Sequence, residues 1–111
     1  MFKISAVNTF WREITFTECV LANEEKEFSF KFEFKRLSAE ELEQRTGVDS
    51  KELMKDFLSD VVTGWDGIAG EDGEPLPFTA DNFKALLQVS GVGQLAFRTY
   101  VREVGVLRTK N

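Results

Sequence analysis

Four carboxylates lie close together in one glycine-rich stretch of this chain, and their type and spacing raise the question of catalysis or metal binding. The stretch is GWDGIAGEDGEPLPFTADNFKALL, residues 64–87, and the acids are Asp66, Glu71, Asp72 and Glu74. Paired carboxylates can act as general acid and base, and they can also hold Mg²⁺ or Ca²⁺. The residues around them decide whether either chemistry is expected.

The pattern around these acids argues against both uses. An EF-hand loop needs D-x-[DN]-x-[DN]-G and a glutamate six residues after that glycine, and DGIAGEDGEPLP lacks this spacing. GWDGIAG has no Walker lysine, follows a predicted helix and carries acids that would repel phosphate. No nucleophile with a general base accompanies the acids. We therefore expect no catalytic, cofactor-binding or metal-ligating residues, and a small hydrolase that uses the loop acids is the enzyme alternative.

The composition narrows the chemistry further. The 111 residues contain no histidine and one cysteine, so a zinc site is close to excluded. Cys19 cannot form an internal disulfide, and a buried thiol is its expected state. The 42% hydrophobic content and eleven phenylalanines favour one folded domain. No apolar run approaches the ~18 residues of a membrane helix, and the start lacks a signal-peptide core, so we expect a cytoplasmic protein with no membrane partner.

Charge is spread unevenly along the chain, although its total is only −5. Residues 38–81 carry three basic and twelve acidic side chains, a net charge of −9, whereas residues 82–111 carry five basic and one acidic, a net charge of +4. This distribution does not favour nucleic acid as a partner. It suits contacts between copies of the protein, in which the acidic segment of one copy meets the basic segment of another. The alternative is that these charges only solvate the surfaces of helices.

The first third of the chain has the alternation that is typical of β-strands. REITFTECV and EFSFKFEFKR place apolar side chains at every second position, and the polar ANEEK separates them. We predict an antiparallel hairpin, with FKISAV at residues 2–7 as a possible third strand. Because a lone hairpin is marginal in water, its apolar face must rest on helices or on another subunit. That face consists of Phe28, Phe30, Phe32 and Phe34.

Helix signals then follow one another. LSAEEL predicts a helix capped by Ser38 and ending near Gly47. VDSKEL predicts a second helix capped by Asp49, with Glu52 in its first turn and an apolar contact between Val48 and Leu53 across its start. The amphipathic stretch SKELMKDFLSDVVT continues that second helix, which Gly64 ends. FTADNF predicts a short third helix to about Gln88, and the last helix covers roughly residues 91–104 with its apolar side inward. That inward side consists of Leu95, Phe97, Tyr100, Val101 and Val104.

The stretch that opened the question is best interpreted as a structural corner between helices. Asp72-Gly73 is suited to a turn with positive φ, and a small hairpin from Ile68 to Leu76 is compatible with the sequence. Pro75 forces extended backbone ahead of the next helix cap. The corner residues are Gly64, Trp65, Gly67, Ile68, Pro77, Phe78 and Thr79. The fold class is therefore α+β: an N-terminal hairpin in about residues 1–37, packed on about four short helices in about 38–105, with a tail at 106–111.

Three stretches together resemble the tail assembly chaperones of long-tailed bacteriophages and prophages. They are FKFEFKRLSAEEL, DFLSDVVTGWDGIAGEDGEPLPFTADNFKALL and GVGQLAFRTYVREV, and the resemblance covers roughly residues 12–105. It implies a non-enzymatic protein in the host cytoplasm that coats the helical tape measure protein before the tail tube forms. It also implies absence from the finished virion, and, in many relatives, a longer frameshifted product that recruits tail tube protein.

This resemblance leads to specific expectations about partners. Thr109, Lys110 and Asn111 can be encoded by ACA AAA AAC, which contains a slippery heptamer of the kind at which such genes shift frame to make the longer product. The alternative is that these three residues are an ordinary polar terminus with no frameshift. A virion structural protein, such as a tail terminator or head–tail joining subunit, is the main competing function, and an unrelated adaptor is another. We also expect homo-oligomers, formed through the hairpin face or the last helix. The residues expected to contact partners or other copies are Phe28, Phe30, Phe32, Phe34, Phe97, Tyr100 and Val101.

Overall fold

The computed structural model of the protein describes residues 8–105, and for Val20 the backbone alone. The predicted strand at 2–7 and the predicted tail at 106–111 lie outside these residues. The fold is α+β, as predicted: a three-stranded antiparallel sheet of order β1-β2-β3 with four helices. The elements are β1 (Thr9–Leu21), β2 (Glu24–Lys35), α1 (Ala39–Thr46), α2 (Met54–Val61), β3 (Val62–Asp66), α3 (Ala80–Leu87) and α4 (Val92–Glu103).

The predicted N-terminal hairpin is present, and its strands are longer than the sequence pattern indicated. A two-residue turn joins them, with Asn23 at a φ of 67°, a conformation that asparagine tolerates better than most residues. Phe10 lies opposite Phe34 and Phe16 lies opposite Phe28, so aromatic residues of both strands share one face. Since cross-strand aromatic pairs stabilise a sheet, this face sets the register of the hairpin.

Helices of the same chain cover the aromatic face of the sheet. Phe32 and Phe34 are fully buried, and Phe57 and Leu58 of α2 are equally buried in the same core. Helices of the same chain, and not another subunit, therefore cover the hairpin face around Phe32 and Phe34.

Tyr100 of α4 joins the helical layer to the sheet. Its ring centroid lies 5.2 Å from that of Phe34 and 5.5 Å from that of Phe57. Its hydroxyl donates to the carbonyl of Lys35 at 2.8 Å and accepts from the amide of Leu37 at 3.3 Å. Burial raises the pKa of the hydroxyl, and because both bonds are satisfied the polar group is tolerated in the core.

The second predicted helix is shorter than expected, and its predicted end is a strand. α2 stops at Val61, and the next five residues form β3. Four of them pair with β2, with Trp65 opposite Phe32, and Thr63 lies at a shift in register. Gly64 therefore does not end a helix; it lies within β3, opposite Glu33. The β-branched Val62 and Thr63 favour extended backbone, and pairing with the exposed edge of β2 decides the outcome. A strand thus lies inside the part of the chain that was predicted to be helical.

The start of α2 also differs from its prediction. Its N-cap is Leu53, with no side-chain cap hydrogen bond, and Asp49 lies in the preceding connection. Val48 is fully exposed and therefore cannot form the expected apolar contact across the helix start. Glu52, expected within the first turn, instead bonds to the side chain of Arg45. Glu52 is therefore held by Arg45 of α1, and the start of α2 has no side-chain cap.

Two other predicted helix starts are confirmed by their hydrogen bonds. The hydroxyl of Ser38 accepts from the amide of Glu41 at 3.1 Å, and the hydroxyl of Thr79 accepts from the amide of Asn82 at 3.1 Å. Such side-chain caps satisfy amides that have no partner within the helix. The last helix begins after Gly91, whose φ is 91°.

Arg45 holds α1 against α2. No residue of α1 is fully buried, so packing alone fixes this helix weakly. The guanidinium donates to Glu52 at 2.7 Å and to Asp60 at 2.5 Å, and it lies 4.9 Å from the ring centroid of Phe57. Hydrogen bonds from Arg45 lower the pKa of both carboxyls, with Lys35 adding to the effect on Asp60. The network therefore favours the ionised forms and links two helices to the connection between them.

Cys19 is exposed, which corrects the expected buried thiol. It lies opposite Glu25, on the side of the hairpin turned away from the helices, and its Sγ lies 2.9 Å from the carbonyl of Leu21. Strand alternation puts it on the polar face because its neighbours in phase are Thr15 and Thr17.

Candidate partner-binding groove

The glycine-rich corner folds as the end of β3, which the sequence did not predict, followed by the small hairpin that it did predict. Gly67 has a φ of 86°, and a Cβ there would lie 3.5 Å from the Cα of Phe30. Beyond it the amide of Leu76 donates to the carbonyl of Ile68 at 2.9 Å, and Gly73 turns the chain with a φ of 81°. The predicted hairpin between Ile68 and Leu76 is therefore present, and it leads the chain into α3.

Trp65 fastens this hairpin to the sheet. Its indole Nε1 donates to the carbonyl of Leu76 at 2.8 Å, and its ring packs edge-on against Phe78 at 5.2 Å. The side chain is partly buried against the core, as is that of Ile68. Pro77 precedes Phe78, and its carbonyl accepts from the side chain of Asn82 at 2.9 Å, just inside the helix that Thr79 caps. The corner residues therefore position the start of α3.

The loop acids do not converge on a site. All four, Asp66, Glu71, Asp72 and Glu74, are exposed. The carboxylate of Asp72 accepts from the amide of Glu74 at 3.0 Å, a side-chain-to-backbone bond that is typical of aspartate in turns. Within residues 8–105, no group of three or more histidine, cysteine, aspartate or glutamate side chains could hold a metal ion.

A groove of about 520 Å³ lies between α2 and α3 instead. Its floor is apolar: Val62 and Phe83 are buried, Leu87 is half-buried, and Phe78 at one side leaves 37% of its surface exposed. Most of the other lining residues are exposed, so the groove is a trough open to solvent. An open apolar trough suits rows of side chains from a partner better than an enclosed small molecule. The remaining lining residues are Lys55, Asp56, Ser59, Ala80, Asp81, Lys84 and Gln88.

The rim of this α2–α3 groove has balanced charge. Lys55 and Asp56 come from α2, and Asp81 and Lys84 come from α3. Two positive and two negative side chains create no strong field of one sign. Such a rim disfavours a phosphate backbone and fits a partner whose polar flanks carry both signs.

Apolar exposure continues from the groove around the connection between α3 and α4. Met54 is 37% exposed and Val89 is 47% exposed, and both line a shallow cleft next to Leu87 and Gln88 of the groove. Met54 also packs near Gly93, because a Cβ there would lie 3.3 Å from the methionine Cε. The apolar surface beside the groove therefore extends past the end of α3, where a longer partner segment could lie.

The residues predicted to contact partners are divided between core and surface. Phe30, Phe32, Phe34 and Tyr100 are buried in the core of the chain, where they pack on one another and on the helices. Phe28 and Phe97 are half-buried. Val101 was expected to face inward and is 42% exposed, because the side of α4 that faces the core is that of Ala96, Thr99 and Tyr100 and Val101 lies outside it. These residues do not form one surface with the groove.

Sequence reasoning missed the groove because its floor residues lie in segments that were predicted to be helices packed on the core. Val62, Phe83 and Leu87 satisfy the amphipathic pattern, and the pattern does not show whether anything covers them. Leu53 is 57% exposed although it belongs to the predicted apolar face of α2. No signal within either segment would have revealed the groove, because it depends on how α2 and α3 lie relative to each other.

Comparison with protein-family models, curated proteins and solved structures finds no match for this chain. In the described residues, no helix has the length and apolar character needed to cross a membrane.

Proposed function

We propose that this chain is a non-enzymatic tail assembly chaperone of a long-tailed phage, and that it holds an amphipathic helical segment of the tape measure protein. The α2–α3 groove is the observation that carries the binding part of this proposal. The motifs that resemble tail assembly chaperones support the phage context. Together they favour a binding protein over the hydrolase alternative, because the exposed loop acids lie apart from the groove.

The groove offers what a client helix needs. A helix lays its apolar side chains at i, i+3 or i+4, and i+7 into an apolar trough and leaves polar residues at the rim. The exposed edge of Phe78 is suited to anchor such a helix, because aromatic residues dominate the energy of many interfaces. The mixed charges of Lys55, Asp56, Asp81 and Lys84 then pair with the flanks of the client.

An open trough also fits the temporary role of a chaperone. The client must be covered before the tail tube forms and released when tube protein arrives, so binding has to be reversible. We propose that the protein acts in the bacterial cytoplasm and is absent from the mature virion. A longer frameshifted product would recruit the tail tube protein.

The test is co-purification with the tape measure protein, using two variants of the same helix. Ala80→Trp places a large ring in the groove, whereas Ala85 is exposed on the other side of α3 and lines none of the clefts described above. We expect Ala80→Trp to reduce capture of the client at least about tenfold, as expected when apolar anchors are displaced. Ala85→Trp serves as the matched control and should retain binding.

Equal binding by both variants would show that the groove is not the client site. Failure of the wild-type chain to capture the tape measure protein would reject the chaperone function itself. Mass spectrometry of purified virions separates the alternative of a virion structural protein, because a chaperone should be missing from them.

A further inference from the structure

The outer edge of β1 is a second surface that a partner can use. The strand order places β1 at one side of the sheet, and within residues 8–105 no other strand pairs with that edge. The strand is 13 residues long. A long free edge presents a row of backbone donors and acceptors that another strand can extend.

Hydrogen bonds identify which residues offer those groups. The amide of Arg36 donates to the carbonyl of Asn8 at 2.7 Å, which directs the backbone groups of even-numbered residues towards β2. Odd-numbered residues such as Trp11, Thr15 and Thr17 therefore point theirs to the free edge. Consistently, the side chain of Arg12 reaches round to donate to the carbonyl of Trp11 at 2.7 Å.

We propose that β1 pairs antiparallel with β1 of a second copy, about a two-fold axis at Thr15. Thr15 is the middle residue of Thr9–Leu21, so this register pairs the whole strand. It places Thr15 opposite itself, Glu13 opposite Thr17 of the other copy, and Arg12 opposite Glu18 of the other copy. The two sheets then form one six-stranded sheet, with the helices of both copies on the same side.

Charge complementarity selects this register. Arg12 and Glu18 are six residues apart on one face of the strand, so a two-fold axis midway between them forms the Arg12–Glu18 pair twice. An axis at Glu13 or at Glu18 would place like charges opposite each other, and an axis at Arg12 would do the same. Opposite charges across strands stabilise pairing, and like charges weaken it.

The single copy leaves both members of this pair incompletely satisfied. Arg12 Nε is buried without a hydrogen-bond partner among the described residues, and it lies 3.8 Å from the carboxylate of Glu103, beyond hydrogen-bond distance. Glu18 is exposed and lies opposite Lys26 in the hairpin, but the ammonium of Lys26 lies over the ring of Phe28 and Glu18 has no ion pair within residues 8–105. In the dimer, Arg12 releases the carbonyl of Trp11 to the backbone of the second strand and gains a second carboxylate in addition to that of Glu103.

The opposing possibility is that Arg12 protects the edge from pairing, as charged residues on edge strands often do. The two roles give opposite results. If Arg12 protects the edge, its removal increases self-association. If Arg12 pairs across the axis, a charge reversal weakens self-association and a matching reversal of Glu18 restores it. Neither result depends on the client, so the purified chain is sufficient.

Disulfide trapping tests the register. Thr15→Cys and Thr17→Cys are each made with Cys19→Ser, and both positions are exposed on the same side of β1. Opposed residues in a hydrogen-bonded pair have Cα atoms about 5.5 Å apart, within disulfide range. Position 17 is displaced from its own copy by four residues, about 13 Å along the strand. We expect the Thr15→Cys chain to form a disulfide-linked dimer under mild oxidation and the Thr17→Cys chain to remain largely monomeric on a non-reducing gel.

Charge reversal tests the pair. We expect Arg12→Glu to weaken dimerisation about tenfold or more in sedimentation, Glu18→Arg to do the same, and the double variant to recover most of the affinity. Circular dichroism establishes that each variant is folded. Cross-linking of Thr17→Cys as fast as Thr15→Cys would overturn the proposed register. Stronger association of Arg12→Glu, or no recovery in the double variant, would overturn the Arg12–Glu18 pair.

Discussion

At the residue scale, burial and hydrogen bonding give Trp65 a structural role that the acids in the same stretch of sequence do not have. The indole of Trp65 has a hydrogen-bond acceptor in Leu76 and aromatic neighbours in Phe32, Phe78 and Phe83. Asp66, next in the chain, is exposed. Adjacent residues thus differ in role because strand alternation directs one towards the core and the other towards water.

Replacing Trp65 should therefore destabilise the fold. We expect Trp65→Ala to lower the free energy of unfolding by ~3–5 kcal/mol, the usual cost of removing a large core side chain. Trp65→Phe keeps a ring and loses the bond to Leu76, so we expect about 1 kcal/mol. Urea unfolding followed by circular dichroism measures both. If Trp65→Ala leaves the unfolding midpoint unchanged and abolishes client binding, then Trp65 is a client contact instead of a core residue.

At the element scale, the short helices depend on connections that local sequence does not specify. α1 has no fully buried residue, and the segment before α2 has no side-chain cap for that helix. Arg45 compensates by bonding to Glu52 in the connection and to Asp60 in α2. Because networks of charges around one arginine are more stabilising than single exposed pairs, this residue is the principal tie between the two helices.

The pKa shifts give the Arg45 network a defined pH dependence. The pKa values of Glu52 and Asp60 are lowered in the folded chain from ordinary values of 4.5 and 3.8. Their contribution is therefore complete above these ordinary values and is lost as pH falls through the lower folded values. We expect Arg45→Gln to reduce stability by about 1 kcal/mol at pH 7, with a smaller difference from wild type below about pH 4.

Arg98→Gln is the matched control, because Arg98 is exposed and has no ion pair among the described residues. Denaturant unfolding at a series of pH values measures both variants. A difference between wild type and Arg45→Gln that is the same at pH 3 and pH 7 would assign the effect to packing of Arg45 on Phe57 instead of to its ion pairs.

At the scale of the whole molecule, the fold leaves two distinct surfaces for association. The α2–α3 groove lies between helices, and the free edge of β1 lies at the side of the sheet. The client helix and the second copy that we propose would therefore occupy separate places on the chain.

We accordingly expect homo-oligomers in solution whose affinity falls as salt rises. The acidic segment 38–81 and the basic segment 82–111 attract one another between copies, and exposed charges are screened beyond ~8 Å at physiological ionic strength. Sedimentation at low and high salt measures the effect. A strict monomer at high micromolar concentration would contradict the assembly function, whereas oligomers insensitive to salt would reject only the contribution of charge.

The sequence by itself determined the features that depend on near neighbours. Alternation placed Phe28 to Phe34 on one face, and the caps at Ser38 and Thr79 and the small hairpin after Gly67 follow from local backbone chemistry. Only the tertiary structure decided that Val62–Asp66 is a strand, because its partner β2 is distant in sequence and strand preference depends on pairing. The same holds for the candidate site. The groove exists because α2 and α3 leave a gap over Val62 and Phe83, and no pattern within either segment records the space between them.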